Sequence, residues 1–163
     1  METIFYSQIE SPVGPLLVGV SARGLMTLGF GGLEELPKRM LKQFQWTESS
    51  EKTEPYVTQL EEYFAGKRRE FSFNLDLRGT EFQKRCWDAL LAIPYGQTKS
   101  YADIARTVGR PAAFRAVGQA NHTNPIAIVV PCHRVVASDG KLAGYGGGLS
   151  TKEKLLRLEG ARL

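Results

Sequence analysis

The spacing of apolar residues changes part-way along this chain, and that change limits the folds open to it. From Ile4 to Phe30 they alternate with polar residues or run in short blocks, split by Pro12, Gly14 and Ala22-Arg23-Gly24. A period of two between turn signals is the pattern of antiparallel strands, and it predicts strands near 3–10, 14–21 and 24–30. Residues 33–43 read as a short helix, and the polar stretch 44–54, rich in Glu, Ser and Thr, reads as loop. Thr58 to Phe64 carries helical spacing that stops at Gly66, and Phe71 to Leu77 alternates again as an extended segment. Beyond Thr80 the pattern turns helical: Phe82, Cys86, Ala89, Leu90 and Ile93 share one face, behind a capping box of Thr80 and Gln83. Cys86 is thereby a core residue. Ser100 to Val108, a break at Gly109-Arg110-Pro111, and Ala112 to Asn121 have the form of a helix-turn-helix. On its second helix Ala113, Val117 and Ala120 share one face, while Arg115, Gln119 and His122 share the other. The expected fold is α+β: a small N-terminal antiparallel-sheet α/β roll over 1–76 and a mostly helical C-terminal domain over 77–163.

The chemistry concentrates in Ile128-Val129-Val130-Pro131-Cys132-His133-Arg134-Val135, where a thiol, an imidazole and a guanidinium sit inside an apolar stretch. A free thiol with pKa ~8.5 is only a few per cent ionised at pH 7, so it needs a base or a cation. His133 and Arg134 are the candidates. On an extended strand neighbouring side chains face opposite ways, so either Pro131 bends the chain or a water bridges Cys132 to His133, and the bridged relay is preferred. The two cysteines lie far apart with no Cys-x-x-Cys pair, which suits a reducing compartment. Cys86, His122, Cys132 and His133 fit no standard zinc spacing, so no metal is expected. A formal net charge of +4 suits a polyanionic partner without demanding one. The N-terminus carries no basic region followed by an apolar run, and the apolar stretch around Ile126 to Val130 is too short to span a bilayer. A cytoplasmic protein with no membrane partner is expected.

The Pro-Cys-His-Arg-Val-Val string at 131–136 resembles the active-site motif of the O6-alkylguanine-DNA alkyltransferases. Thr80-Glu81-Phe82-Gln83, Ile93-Pro94-Tyr95-Gly96, Ser100-Tyr101, Arg115-Ala116-Val117-Gly118, Asn124-Pro125 and Gly144-Tyr145-Gly146-Gly147-Gly148 resemble that family's C-terminal domain, in the same order. The resemblance implies a short bacterial or archaeal repair protein that flips O6-alkylguanine out of double-stranded DNA. It would move the alkyl group irreversibly to Cys132, once per molecule and with no cofactor. His133 becomes the base acting through water, Glu153 the carboxylate that orients the imidazole, and Asn124 the brace of the turn around Cys132. Tyr101 crowds the flanking phosphate and reaches the purine. Arg115 is the finger that fills the gap in the base stack, with Ala116, Gly118 and Gln119 beside it on a minor-groove face. Pro131, Val135, Tyr145 and Gly146 would line the base pocket, with fewer contacts to the alkylated oxygen where Gly146 replaces the hydroxyl of some relatives.

Glu153 has a rival reading, because Ser150-Thr151-Lys152-Glu153 is itself a capping box, and one carboxylate does not easily serve both uses. The glycine-rich run lacks the lysine-serine ending of a phosphate-binding loop. Two other functions compete. A non-catalytic lesion binder of the same fold would lack the reactive cysteine, and a thiol hydrolase would need an oxyanion hole and an acyl cleft that are not legible here. A monomer on DNA is expected, with alkyl size, O4-alkylthymine and cooperativity along DNA left open.

Overall fold

The first thirty residues fold back on themselves twice, at the turns marked by Gly14 and Gly24. They form β1 (Thr3–Ile9), β2 (Leu16–Ser21) and β3 (Gly24–Phe30), an antiparallel meander with Phe5 opposite Val20 and Val18 opposite Leu28. Gly24 has φ 148°, and a side chain there would run into the backbone of Asn74, so this close approach requires glycine. The computed structural model describes residues 1–162, and the chain divides into two units, Met1–Leu77 and a second that begins at Arg78.

The expected helix over 33–43 is broken at Leu36-Pro37 into a short 3-10 turn, Leu33–Glu35, and α1, Lys38–Gln43. Proline disfavours helical backbone in the residue before it. The expected loop over 44–54 is instead β4 (Gln45–Glu48) and the start of α2 (Ser50–Phe64). β4 runs parallel to β1, with Ile4 opposite Trp46, so the sheet is mixed in the order β3-β2-β1-β4. As an edge strand β4 needs little apolar content, and its Trp46 packs together with Met40 against the cluster of Ile4, Met26 and Phe44. Ser49 caps α2 by accepting from Lys52 N at 3.2 Å. The extended segment after α2 stacks Phe71 on Tyr63 and Phe73 on Tyr56, at 5.5 and 4.9 Å between ring centroids. It also exchanges backbone bonds with Leu25, through Asn74 O at 3.0 Å and Asp76 N at 2.8 Å.

In the second unit α3 (Glu81–Leu91) opens with the expected capping box: Gln83 N donates to Thr80 Oγ1 at 3.1 Å and Thr80 N to Gln83 Oε1 at 2.9 Å. Its inward face buries Cys86, Trp87, Ala89 and Leu90, and Trp87 Nε1 donates to Ala120 O at 2.9 Å. α4 (Tyr101–Thr107) and α5 (Phe114–His122) form the helix-turn-helix. Val117 and Ala120 are buried while Arg115, Gln119 and His122 are exposed, as the spacing predicts. A two-residue parallel ladder joins β5 (Lys99–Ser100) to β6 (Val135–Val136), and α6 (Leu149–Leu158) packs against the 3-10 turn at Cys132–Arg134. Among the described residues no helix is long and apolar enough to cross a membrane.

Candidate active site

Between α5 and β6 the chain is buried from Ile126 to Val136, yet it is neither helix nor strand until Cys132. It makes two tight reversals. Val129 N donates to Ala127 O at 2.8 Å across Ile128, whose φ of 72° belongs to the rarer, strained hand of γ-turn. Cys132 N donates to Val130 O at 2.8 Å across Pro131, which sits at φ −82° and ψ 64°, an inverse γ-turn that the proline ring favours. Cys132–Arg134 then form a 3-10 turn. The chain bends here rather than running extended, so Cys132 and His133 serve different surroundings.

Cys132 faces a cavity of about 650 Å³ lined by Tyr101, Gly118, Gln119, Asn121, His122, Ala143, Gly144, Tyr145 and Gly146. Asn124 holds the sulfur in place. Its Nδ2 donates to Cys132 Sγ at 3.1 Å and to Val130 O at 2.8 Å, while its Oδ1 accepts from Ile126 N at 3.0 Å. Burial pushes the Cys132 thiol up from its ordinary value, opposed by the Asn124 hydrogen bond and the positive charge of Lys152. At neutral pH the resting sulfur keeps its proton, and any reaction must remove it.

His133 is fully buried and faces a carboxylate, with Nε2 2.8 Å from Glu159 Oε2. Arg134 grips the same group, Nε to Oε1 at 2.8 Å and Nη2 to Oε2 at 3.0 Å, and gives Nη1 to Ile93 O at 2.8 Å. Burial alone would raise the Glu159 pKa, but the hydrogen bonds from His133 and Arg134, with the charge of Arg134, bring it down to about 2. An ionised carboxylate only accepts, so Nε2 carries the ring proton and Nδ1 keeps its lone pair. Nδ1 is buried with no hydrogen-bond partner among the described residues. Burial holds the His133 pKa below its ordinary value, which keeps the ring neutral and able to take a proton.

Lys152 completes the site. Its side chain is fully buried, and Nζ donates to Ala143 O at 2.8 Å and Gly144 O at 3.3 Å, tying down the loop that walls the cavity. Burial lowers its pKa to about 8, with the cysteine acting the other way. Tyr101 Oη donates to Ala143 O at 3.0 Å, fastening the same loop from the other side. Among the described residues no group of three His, Cys, Asp or Glu could hold a metal ion.

Residues 4–77 match the family model for the 6-O-methylguanine DNA methyltransferase ribonuclease-like domain, and residues 81–161 match that for the DNA binding domain. The methylated-DNA–protein-cysteine methyltransferase of Methanosarcina barkeri is 48% identical over 96% of this chain and 97% of its own. Its namesake from Mycobacterium tuberculosis is 50% identical over 98% and 94%. This chain belongs to the 6-O-methylguanine DNA methyltransferase family. The crystal structure of Mycobacterium tuberculosis OGT in complex with DNA superposes with a TM-score of 0.87 at 49% identity, covering 96% of this chain and 92% of that one.

Within that family frame the structure corrects the sequence reading at four places. Glu153 is not on His133: it lies on the outer side of α6 and pairs with Arg157 at 2.8 Å, and the carboxylate at the imidazole is Glu159. The capping box at Ser150 does not form either, because α6 starts earlier, with Gly148 at φ 93° as its N-cap. Pro131 and Val135 do not line the cavity but are buried beside Cys132, Pro131 closing the inverse γ-turn and Val135 pairing with Lys99. Arg134 is likewise taken up by Glu159, and Lys152 is the cation that acts on the thiol. Cys132, Tyr101, Tyr145, Gly146, Gly118 and Gln119 do meet around one cavity, whereas Arg115 and Ala116 are exposed on α5 outside it.

Proposed function

We propose that this protein repairs O6-alkylguanine in duplex DNA by moving the alkyl group to its own Cys132. The observation that carries this reading is the sulfur that faces the cavity, held by Asn124 and followed in the chain by a neutral, carboxylate-locked imidazole. The thiol proton passes to His133 Nδ1 through a bridging water, and the thiolate attacks the alkyl carbon in line. The S–C bond forms as the C–O6 bond breaks. The electron pair goes to the guanine oxygen, and the proton that left sulfur ends on the purine. Glu159 keeps the imidazole in the useful tautomer and stabilises the imidazolium, as in other relays of nucleophile, base and carboxylate. The thioether product has no route back to thiol, so each molecule acts once.

The target atom is inside a base stack, so the nucleotide must be flipped out. The exposed face of α5 docks in the minor groove, where small Ala116 and Gly118 ease the fit of a helix into a groove roughly 6 Å wide. Gln119 contacts the backbone, and the planar guanidinium of Arg115 fills the gap in the stack. Tyr101 and Tyr145 wall the flipped purine, with Gly146 at its edge. The protein acts as a monomer in the cytoplasm, where thiols stay reduced.

Incubation with duplex DNA carrying labelled O6-methylguanine tests the proposal. One label per protein on Cys132, and none with Cys132→Ser, is the expected result. Retention of the lesion without transfer would instead make the protein a binder, and multiple turnover would rule out a suicide reaction.

A further inference from the structure

We propose that Asn121 reads the group being removed: its side-chain amide hydrogen-bonds a polar atom on the O6 substituent, so that oxygen-bearing adducts are favoured over hydrocarbon ones. The proposal rests on the reading of Cys132 as the alkyl acceptor. Asn121 is near the C-terminal end of α5 and lines the cavity above Cys132. Both atoms of its amide, Nδ2 and Oδ1, are buried and have no hydrogen-bond partner among the described residues. Buried side-chain amides nearly always find partners within the fold, because desolvation without replacement bonds is unfavourable. Asn121 lines the cavity while its amide is packed into the wall, so a polar substituent that enters supplies the missing partner once the amide turns outward.

Position separates the substituent from the base as that partner. Gln119, His122, Gly144 and Gly146 are exposed and mark the mouth, whereas Cys132 is only 8% exposed and marks the floor. The reacting carbon must reach Sγ, so the substituent occupies the floor and the purine lies nearer the mouth. We assign Asn121 to the floor on two grounds: its amide atoms are buried, unlike the exposed mouth residues, and its backbone oxygen accepts at 3.3 Å from Asn124 N, the residue whose side chain touches the sulfur. Sites built to hydrogen-bond a substrate discriminate strongly against analogues that lack the matching atom. The Asn121 Nδ2 hydrogens suit the oxygen of a hydroxyethyl or carboxymethyl group, and Oδ1 suits a hydroxyl hydrogen.

The test measures single-turnover rates on duplexes carrying O6-methyl, O6-propyl, O6-hydroxyethyl and O6-carboxymethylguanine. Asn121→Leu, nearly the same size and apolar, is expected to slow the two oxygen-bearing substrates about tenfold more than it slows methyl and propyl. Asn121→Asp keeps the shape and the acceptor, so it is expected to spare hydroxyethyl and slow carboxymethyl at least tenfold by like-charge repulsion. Equal changes on all four substrates, or none, would overturn the proposal. If Asn121→Leu does not fold, the contrast between the two polar adducts in Asn121→Asp decides alone. A wild-type protein that transfers no methyl group would defeat the underlying reading instead, and is distinguished by that result.

Discussion

At the level of single residues, the decisive contrast is between two glutamates six positions apart in sequence. Glu159 is buried on His133 and Arg134, whereas Glu153 is an exposed partner of Arg157. Glu159→Gln removes the charge that fixes the imidazole proton and is expected to slow alkyl transfer by ~10² or more, within the range of general-base catalysis. Glu153→Gln should stay within about twofold, since exposed i,i+4 pairs contribute little. Single-turnover transfer rates of the two variants check this, and equal losses would remove Glu159 from the relay. Cys132, His133 and Asn124 were legible in the sequence because they share one short segment. Glu159 was not, because it lies 26 residues from His133 and a nearer carboxylate sat in a capping pattern. A signal was present nonetheless: Lys152, Leu155, Leu156 and Glu159 fall at offsets of zero, three, four and seven, one face of a helix. All four are buried.

At the level of elements, α6 and α5 divide the labour. α6 supplies Lys152 to hold the 143–148 loop, and Lys152→Met keeps the stem while losing the two bonds to Ala143 and Gly144. Transfer is expected to fall several-fold and amide exchange in that loop to speed up, with little change in global stability, because an apolar isostere suits a buried site. Unchanged exchange in the loop would reject the tie. α5 is the proposed DNA face, and on that proposal Arg115→Ala should slow repair of duplex far more than reaction with the free modified base, which needs no extrusion. Comparable losses on both substrates would sink the finger role. Strands and helices with apolar faces were readable in advance, such as β1 to β3 and α3. β4 and the first turns of α2 were not, since an edge strand and a solvated helix start need no apolar pattern, and the ladder to β1 is a long-range contact.

For the molecule as a whole, the buried His133-Arg134-Glu159 cluster makes stability depend on acid. Unfolded, Glu159 takes up a proton near its ordinary 4.5, whereas folded it resists until about 2. Between those values the unfolded chain binds more protons, so stability falls as pH drops through that window, by about 3 kcal/mol if the shift is fully expressed. His133 acts in the same direction from higher pH: folded it stays neutral below 6.5, where the unfolded chain already charges. Urea midpoints should therefore begin to fall below pH 6.5 and fall more steeply below 4.5, with the lower limb flattened in Glu159→Gln. An equally steep lower limb in that variant would exclude the cluster as its source.

The same separation between His133 and Glu159 has a consequence during synthesis. The sulfur and imidazole emerge from the ribosome 26 residues ahead of their carboxylate, an interval of about 1 to 5 s at ordinary elongation rates. Until α6 arrives, a nascent chain carries its single-use thiol without the partner that holds the base in its reactive tautomer, and so does not consume itself before it is complete enough to find a lesion.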